Sequence, residues 1–360
     1  VAIVADDLTG ACDAAVAFTG LGQTVRVYLD AVPKAAEGVY AVSTESRSLT
    51  EHEAVARLAR LAWELPRMAQ IFKKIDSVFR GNSFAEIAAA VRTFPERLAV
   101  LAPSYPAHGR RVRNGMLHGS GLENDRPLDL AAALCAAVCA PLVMVSGEDA
   151  ETQMQAAPYG ALLLCDAWDQ DELEAVVRAA ATLRERVLWI GSGGLAHALA
   201  AAYGVTVSCD SVRWPRGRTI FVVGSDHIAT QQQVLHLEES AVVQRSGCGE
   251  KIRTKTSSFV LDVPRGTGVE SVRAALMDIR PEDTACLFLT GGDTAMLVCR
   301  ALGIRSLRLL REFAPGVPMG IAEGGAFDGV RVMLKSGGFG ERDLLQRVYE
   351  SFHDKESVTV

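Results

Sequence analysis

The sequence has no apolar run near the ~20 residues that a bilayer-spanning helix needs. It also lacks a basic excess, with 37 Lys and Arg against 43 Asp and Glu and a formal net charge of −6. A weakly acidic surface repels nucleic acid, so any phosphate-bearing partner is expected to be a small ligand met in a local pocket. The run Gly109-Arg110-Arg111-Val112-Arg113 is a local exception that reads equally as a surface loop or as an anion-facing one. The eight cysteines form no C-x-x-C pair, and most sit in apolar stretches such as Ala285-Cys286-Leu287-Phe288. That is the usage of reduced, buried thiols in a cytoplasmic protein. No H-x-x-x-H pair occurs, so no structural zinc is expected. The opening VAIVADDLTGA is too short and too acidic for a signal peptide, and it reads as a buried strand.

What is present is a large apolar fraction, 49% of 360 residues, enough to exclude wholesale disorder and to fill two cores. Its arrangement repeats one unit: a short β-branched run, a small-residue turn, then an Ala/Leu-rich helix. The unit runs from Val1–Ala5 through Asp6-Asp7-Leu8-Thr9-Gly10, and from Val187–Ile190 through Gly191-Ser192-Gly193-Gly194. It recurs from Thr219–Val223 through Gly224-Ser225-Asp226-His227, and from Cys286–Leu289 through Thr290-Gly291-Gly292-Asp293-Thr294. Apolar strands alternating with helices predict an α/β fold, with mainly parallel sheets flanked by helices. Ligands then bind at the carboxyl ends of the strands, where these turns fall. Pro, Gly and charge interrupt the pattern at 208–218, which predicts two domains, 1–210 and 211–360, with the active site in the cleft between them. The polar stretch Gln244–Ser258 is expected to be a surface excursion and HDKESVTV a frayed tail. Internal repeats and low-complexity tracts are absent.

Several turns carry chemistry. Gly292 and Asp293 stand between a buried strand and a helix start, where small residues let backbone amides approach a phosphate. The competing reading is a tight turn with Asp293 or Thr294 as the N-cap. Lys335-Ser336-Gly337-Gly338-Phe339-Gly340 adds another such loop; because Lys335-Ser336 precedes its glycines, it is not a P-loop. Gly191, Gly193 and Ala196 spell G-x-G-x-x-A after a strand, with Asp210 at a distance suited to a ribose-binding carboxylate. This is the best support for a nicotinamide-dependent oxidoreductase. Asp6 and Asp7 place two acids at one strand end, and Ser43-Thr44-Glu45-Ser46-Arg47 follows another. The segment Lys73-Lys74-Ile75-Asp76-Ser77-Val78-Phe79-Arg80-Gly81-Asn82 concentrates two lysines, an acid, a guanidinium and an amide in one turn region. Arg suits a planar carboxylate and Lys a phosphate, against the alternative of a solvated loop.

Together, ADDLTGACDAA, STESR, KIDSVFRGN and APSYPAHGR, followed by VGSDH, TGGDTA, PGVP and KSGGFG, resemble the four-carbon acid sugar kinase family. The resemblance covers nearly the whole chain, with the motifs in the family's order. It implies ATP-dependent phosphorylation of an acid such as threonate, erythronate or 3-oxo-tetronate, usually at the terminal hydroxyl, with Mg²⁺ as the accompanying ion and its protein ligands undefined. The N-terminal half would hold the sugar acid and the C-terminal half ATP. By motif match, ATP contacts fall on Ser225, Gly291, Gly292, Asp293, Thr294 and Gly338. Substrate contacts fall on Asp6, Arg47 and Arg80, and the catalytic set on Asp7, Lys74 and Asp76, with Asp7 the first choice of base. Under this reading the Gly191 loop is a turn of the substrate domain. The expected partner is a small sugar acid, with no nucleic acid or membrane and with homodimerisation open. The alternatives are the oxidoreductase and a non-catalytic sugar-acid sensor. Two features depart from the family pattern: the chain is short before Thr219 and over Gln244–Val263, and His227 follows Gly-Ser-Asp.

Overall fold

The computed structural model describes all residues except 30, 33–35, 67–68, 123–125, 184–186, 206–213, 242, 251–257 and 354–360. The chain divides into two compact units, one made of Val1–Val25 and Asp30–Thr206, the other of Arg26–Leu29 and Val207–Val360. The expected boundary at 210/211 and Asp210 lie outside the described residues. That a four-residue stretch near the N-terminus belongs with the second unit was not foreseen. Its Leu29 amide donates to Arg305 O (3.2 Å), and its Arg26 pairs with Glu323 (3.0 Å).

Among the described residues eleven strands precede residue 206: β1 (Ala2–Ala5), β2 (Val25–Tyr28), β3 (Val39–Ser43), β4 (Ile71–Lys74), β5 (Leu98–Ala102), β6 (Arg111–Arg113), β7 (Met116–His118), β8 (Leu128–Asp129), β9 (Leu142–Val145), β10 (Leu162–Cys165) and β11 (Val187–Gly191). In the first unit the order is β3-β1-β4-β11-β5-β10-β9, and every neighbouring pair is parallel. Such strands are covered on both faces, which is why β1, β4, β5 and β10 are buried without alternation. β6, β7 and β8 form a small separate sheet. The chain leaves β1 toward β3 on one side, and leaves β4 toward β5 on the other. The strand order therefore reverses at β1/β4, the place where open α/β sheets bind ligands. Ala5 stands level with Lys74 there, so Asp6-Asp7 and Ile75-Asp76 emerge side by side.

The second unit contains β12 (Arg218–Val223), β13 (Gln244–Gly247), β14 (Phe259–Asp262), β15 (Thr284–Thr290), β16 (Ser306–Ala314), β17 (Val317–Glu323) and β18 (Arg331–Lys335). The order is β13-β14-β12-β15-β18-β17-β16-β2, parallel through β18 and antiparallel from β18 to β17 to β16. Gln244–Gly247 is thus an edge strand and not the expected surface excursion. Its alternation of exposed Arg245 and buried Ser246 supplies too little apolar signal to read as a strand. Here the reversal falls between β12 and β15. Val223 stands level with Thr290, and Thr290 with Lys335, so three strand ends and their turns share one edge. Phe221 and Phe288 of the sheet share one core with Val234 and Leu237 of the helix Ile228–Ser240 and Leu344 and Phe352 of the helix Leu344–His353. Each contributes about 1.5–3 kcal/mol of burial.

Cysteines 12, 165, 286 and 299 are buried free thiols, as expected, but Cys135 and Cys139 are exposed. Among the described residues no helix is long and apolar enough to cross a membrane.

Candidate active site

At the β1/β4 reversal of the first unit, charge is concentrated and mutually paired. Asp7 caps the helix Leu8–Val16: its Oδ1 accepts from the Gly10 amide (2.7 Å) and its Oδ2 from the Thr9 hydroxyl (2.8 Å). Arg47, carried by the loop after β3, spreads its guanidinium over three acids. Nε donates to Asp6 (2.8 Å), Nη1 to Asp7 (2.6 Å), and Nη2 lies 3.5 Å from Asp76. Burial pushes the Asp6 carboxyl up, but Arg47, Lys73 and Lys74 more than offset it and hold it below the ordinary range. Asp76 is buried too, yet Arg47 and Arg80 hold it well below that range. Burial alone would depress Arg47; Asp7, Asp6 and Asp76 instead raise it well above its usual value.

The loop after β4 is shaped by Asp76. Its Oδ1 accepts from the amides of Val78 (3.0 Å) and Arg80 (3.2 Å), and its Oδ2 from Arg80 Nε (3.0 Å) and Nη2 (2.6 Å). Gly81, with φ +69°, sits where a Cβ would lie 2.8 Å from Arg47 O, so the loop can close on Arg47 only without a side chain there. Two non-glycine residues beside the site, Glu45 (φ 47°) and Phe79 (φ 61°), hold left-handed backbone. Such a conformation costs roughly 1–3 kcal/mol each and persists where the surroundings impose it.

Lys73 and Lys74 belong to β4 itself, so they point to opposite faces and are not part of one turn. Lys73 is consumed by buried Glu86 (2.6 Å), which also accepts from the Ser46 hydroxyl. Lys74 turns to the helix Leu8–Val16, donating to Ile75 O (3.0 Å) and lying 3.7 Å from Asp13, whose other oxygen accepts from Tyr105 (2.7 Å). Asp13, Tyr105, His108 and Arg110 complete the cluster, and sequence reading missed them as site residues. Arg110 is depressed by burial and feels Asp76, Arg80, Tyr105 and Asp13. Burial, with Arg110, Lys74 and His197 nearby, pushes the His108 imidazole down to about 3. The arginine run thus divides. Arg111 and Arg113 lie on β6 against the Trp168 ring (5.4 and 5.7 Å), while Arg110 faces the acids.

The G-x-G-x-x-A turn has no room for a pyrophosphate. A Cβ on Gly193 would stand 2.6 Å from the Tyr105 ring and 2.7 Å from Asp13, and one on Gly194 2.5 Å from Ser104 O. Ser192 binds Ser104 O (2.8 Å) and caps the helix. These glycines are small so that the Ser104–Tyr105 backbone can pack on them, which removes the structural basis of the oxidoreductase reading.

In the second unit the turns after β12, β15 and β18 converge. The helix Gly292–Leu302 begins without a side-chain cap, so neither Asp293 nor Thr294 fills the N-cap role; Gly291 does, at φ +89°. A Cβ on Gly291 would meet nothing closer than 3.8 Å, so the space above this helix start is open. Thr294 is turned toward Gly224, and Ser225 and His227 lie against Gly337 and Gly338. His227 serves as N-cap of the helix Ile228–Ser240, its Nδ1 accepting from the Ala229 amide (3.2 Å). Among the described residues no group of three metal-ligating side chains occurs.

Residues 1–134 match the family model described as a sugar-binding N-terminal domain, and residues 250–345 the one described as a nucleotide-binding C-terminal domain. A D-threonate kinase of Bordetella bronchiseptica is 30% identical, covering 99% of this chain and 98% of the relative; its alignment runs over 409 residues, so it has stretches with no counterpart in these 360. A D-threonate kinase of Cupriavidus necator is 31% identical with the same coverage, and a 3-oxo-tetronate kinase of Pseudomonas fluorescens is 27% identical over 96% of this chain and 95% of its own. The crystal structure of a Haemophilus influenzae protein has the same fold, with a TM-score of 0.72 at 21% identity, covering 98% of this chain and all of the other. The chain belongs to the four-carbon acid sugar kinase family.

Proposed function

We propose that the protein transfers the γ-phosphoryl group of ATP to the terminal hydroxyl of a four-carbon sugar acid, with D-threonate the first substrate to test. The observation that carries this reading is the open, uncapped start of the helix Gly292–Leu302 at the β12/β15 reversal, beside the Gly337-Gly338 turn. Unclaimed amides and a helix N-terminus there offer partial positive charge to a phosphate chain. D-threonate comes first because the two relatives reported above at 30% and 31% identity are D-threonate kinases.

In this reading Ser225, Gly291, Gly292, Asp293, Thr294 and Gly338 hold ATP. Mg²⁺ fits as an ion carried mainly by the phosphates, with one or two carboxylates at most, Asp293 being the acid on that strand end. When bound, it supplies charge neutralisation to the phosphates. The first unit's side chains hold the acid. Arg47 is committed to Asp6, Asp7 and Asp76, so it orders the acids, and Arg80, which holds Asp76 through Nε and Nη2 but has its side chain 52% exposed, meets the substrate carboxylate with its outer Nη1 and Nη2 edge. Lys74 faces the transferring group, where fixed positive charge counts most as negative charge shifts. Asp7 accepts the hydroxyl proton; Asp76 serves less well because two amides and two arginines already stabilise its anion.

The test is ADP release with Mg·ATP across threonates, erythronates and 3-oxo-tetronates. Turnover confined to one of these acids is expected. Silence across all of them from folded protein would sink the kinase reading, and sugar-acid binding without ADP release would make the chain a sensor. Gly292→Val should abolish ATP binding while leaving the thermal midpoint within a few degrees.

A further inference from the structure

The turn after β18 is held from beneath by three side chains with no exposed surface, of which only Lys335 belongs to the motif itself. Lys335 Nζ donates to Thr230 Oγ1 (2.8 Å), Ser336 O (3.2 Å) and Gly337 O (3.0 Å). Thr230 Oγ1 donates in turn to Gly337 O (2.7 Å). Gln233 Nε2 shares its two hydrogens among Phe339 O (3.1 Å), Gly340 O (2.8 Å) and Glu341 O (2.9 Å), donating to all three carbonyls. All three residues are fully buried. Lys335 has no carboxylate partner among the described residues, and burial pushes its ammonium down to about 7. A buried amine so disfavoured as a cation is held only by what accepts from it.

The consequence follows from peptide geometry. In a planar trans peptide the C=O of one residue and the N–H of the next point in opposite directions. With Ser336 O and Gly337 O turned inward to Lys335 and Thr230, the amides of Gly337 and Gly338 are turned outward. Neither amide has an acceptor among the described residues. Lys335 also ties this turn to its neighbour, since its carbonyl accepts from the Gly291 amide (2.9 Å). A side chain at Gly337 would collide with Ser225 and His227, so the turn is pressed against the β12 turn as well.

We propose that Lys335 and Thr230 are positioning residues of the nucleotide site, aiming the Gly337 and Gly338 amides at a phosphate of bound ATP; this rests on the kinase reading above. They touch no ligand themselves. Lys335→Met removes three hydrogen bonds at nearly constant length, Thr230→Val removes one hydroxyl at constant shape, and Thr230→Ser restores it. The readouts are KM for Mg·ATP, KM for the sugar acid, and the thermal shift given by ADP. Lys335→Met should raise KM for Mg·ATP at least tenfold and Thr230→Val three- to tenfold, with KM for the sugar acid within twofold and Thr230→Ser near the parent. If Lys335→Met does not fold, the Thr230 pair decides alone. Parent-like KM for Mg·ATP in folded Thr230→Val, or an equal rise in both KM values, would overturn the proposal while leaving the kinase reading intact. A parent protein with neither turnover nor an ADP-dependent thermal shift would overturn both.

Discussion

Arg47→Met tests the charge arrangement of the first unit most directly, because one guanidinium there serves three acids. Its nitrogens lie 2.8, 2.6 and 3.5 Å from Asp6, Asp7 and Asp76, whose side chains are 4–5% exposed. Removing one partner of a buried ion pair costs about 3–5 kcal/mol, because the other charge is left unpaired. Three orphaned acids do not triple that figure. Arg80 still faces Asp76, Lys73 and Lys74 still act on Asp6, and an orphaned carboxyl can take up a proton. The loss at pH 7.5 should therefore stay near about 3–5 kcal/mol. In the parent, the Asp6 and Asp76 values are depressed. Their contribution is thus present above the unfolded value near 3.8 and is lost as pH falls through the lower folded values. In the variant, burial without Arg47 moves these acids upward, so the folded protein binds protons before the unfolded chain does. The deficit should then shrink as pH falls from 7.5 to 5. Urea unfolding followed by circular dichroism at both pH values measures it. Adding Asp6→Asn to Arg47→Met should return about 1–2 kcal/mol by removing one orphan. A deficit below about 1 kcal/mol, or one equal at both pH values, would refute the assignment of Arg47 as the neutralising centre.

Gly291→Ala should weaken ATP binding at a cost of roughly 1–3 kcal/mol in stability, because the new methyl meets open space and only the backbone at φ +89° is strained; a stability loss without a binding loss would contradict a phosphate contact at this turn. Arg80→Lys should mostly raise KM for the sugar acid, since Lys cannot make a two-pronged carboxylate contact; Lys74→Ala should mostly lower kcat, by roughly 10²–10³. Unchanged steady-state kinetics in both would place this segment outside the active site. His108, held near 3 in the fold, stays neutral while the unfolded chain protonates below about 6.5, so stability is lost as pH falls between those values. His108→Gln should flatten that slope, which is at most about 1.4 kcal/mol per pH unit, and an unaltered pH profile of the thermal midpoint would count against it.

The parallel sheets were legible because continuous apolar strands and small-residue turns are local features. Val1–Ala5, Val187–Ile190 and Cys286–Leu289 announce buried strands with no help from distant residues. Non-local pairing was not legible. Arg26–Leu29 carries nothing in VRVYL that says it joins the unit built from Val207 onward. β13 was hidden because an edge strand of Gln, Arg, Ser and Gly buries one side chain in four, which leaves periodicity nothing to detect.

The site shows the same division between type and partner. The family resemblance grouped Asp6, Asp7, Arg47, Lys74, Asp76 and Arg80 as one set, and the structure brings them to one sheet edge. Their partners could not be read, since Lys73 and Lys74 are neighbours in sequence yet opposite faces of β4 give one to Glu86 and the other to Asp13. Period two in β4 was the available signal, and Lys-Lys at a buried strand end should have been divided between the two faces from the start. The same rule separates Arg111 and Arg113, which share a face of β6, from Arg110 before it. His227 and Lys335 follow a related logic in the second unit. Each looked like a ligand-binding or irregular residue, but one is a helix cap and the other is buried beneath its own loop. Under the proposed reading the glycines of the motif mark the phosphate site, while Lys335 beneath them faces inward and finds its partner in Thr230, which is 105 residues earlier in the chain.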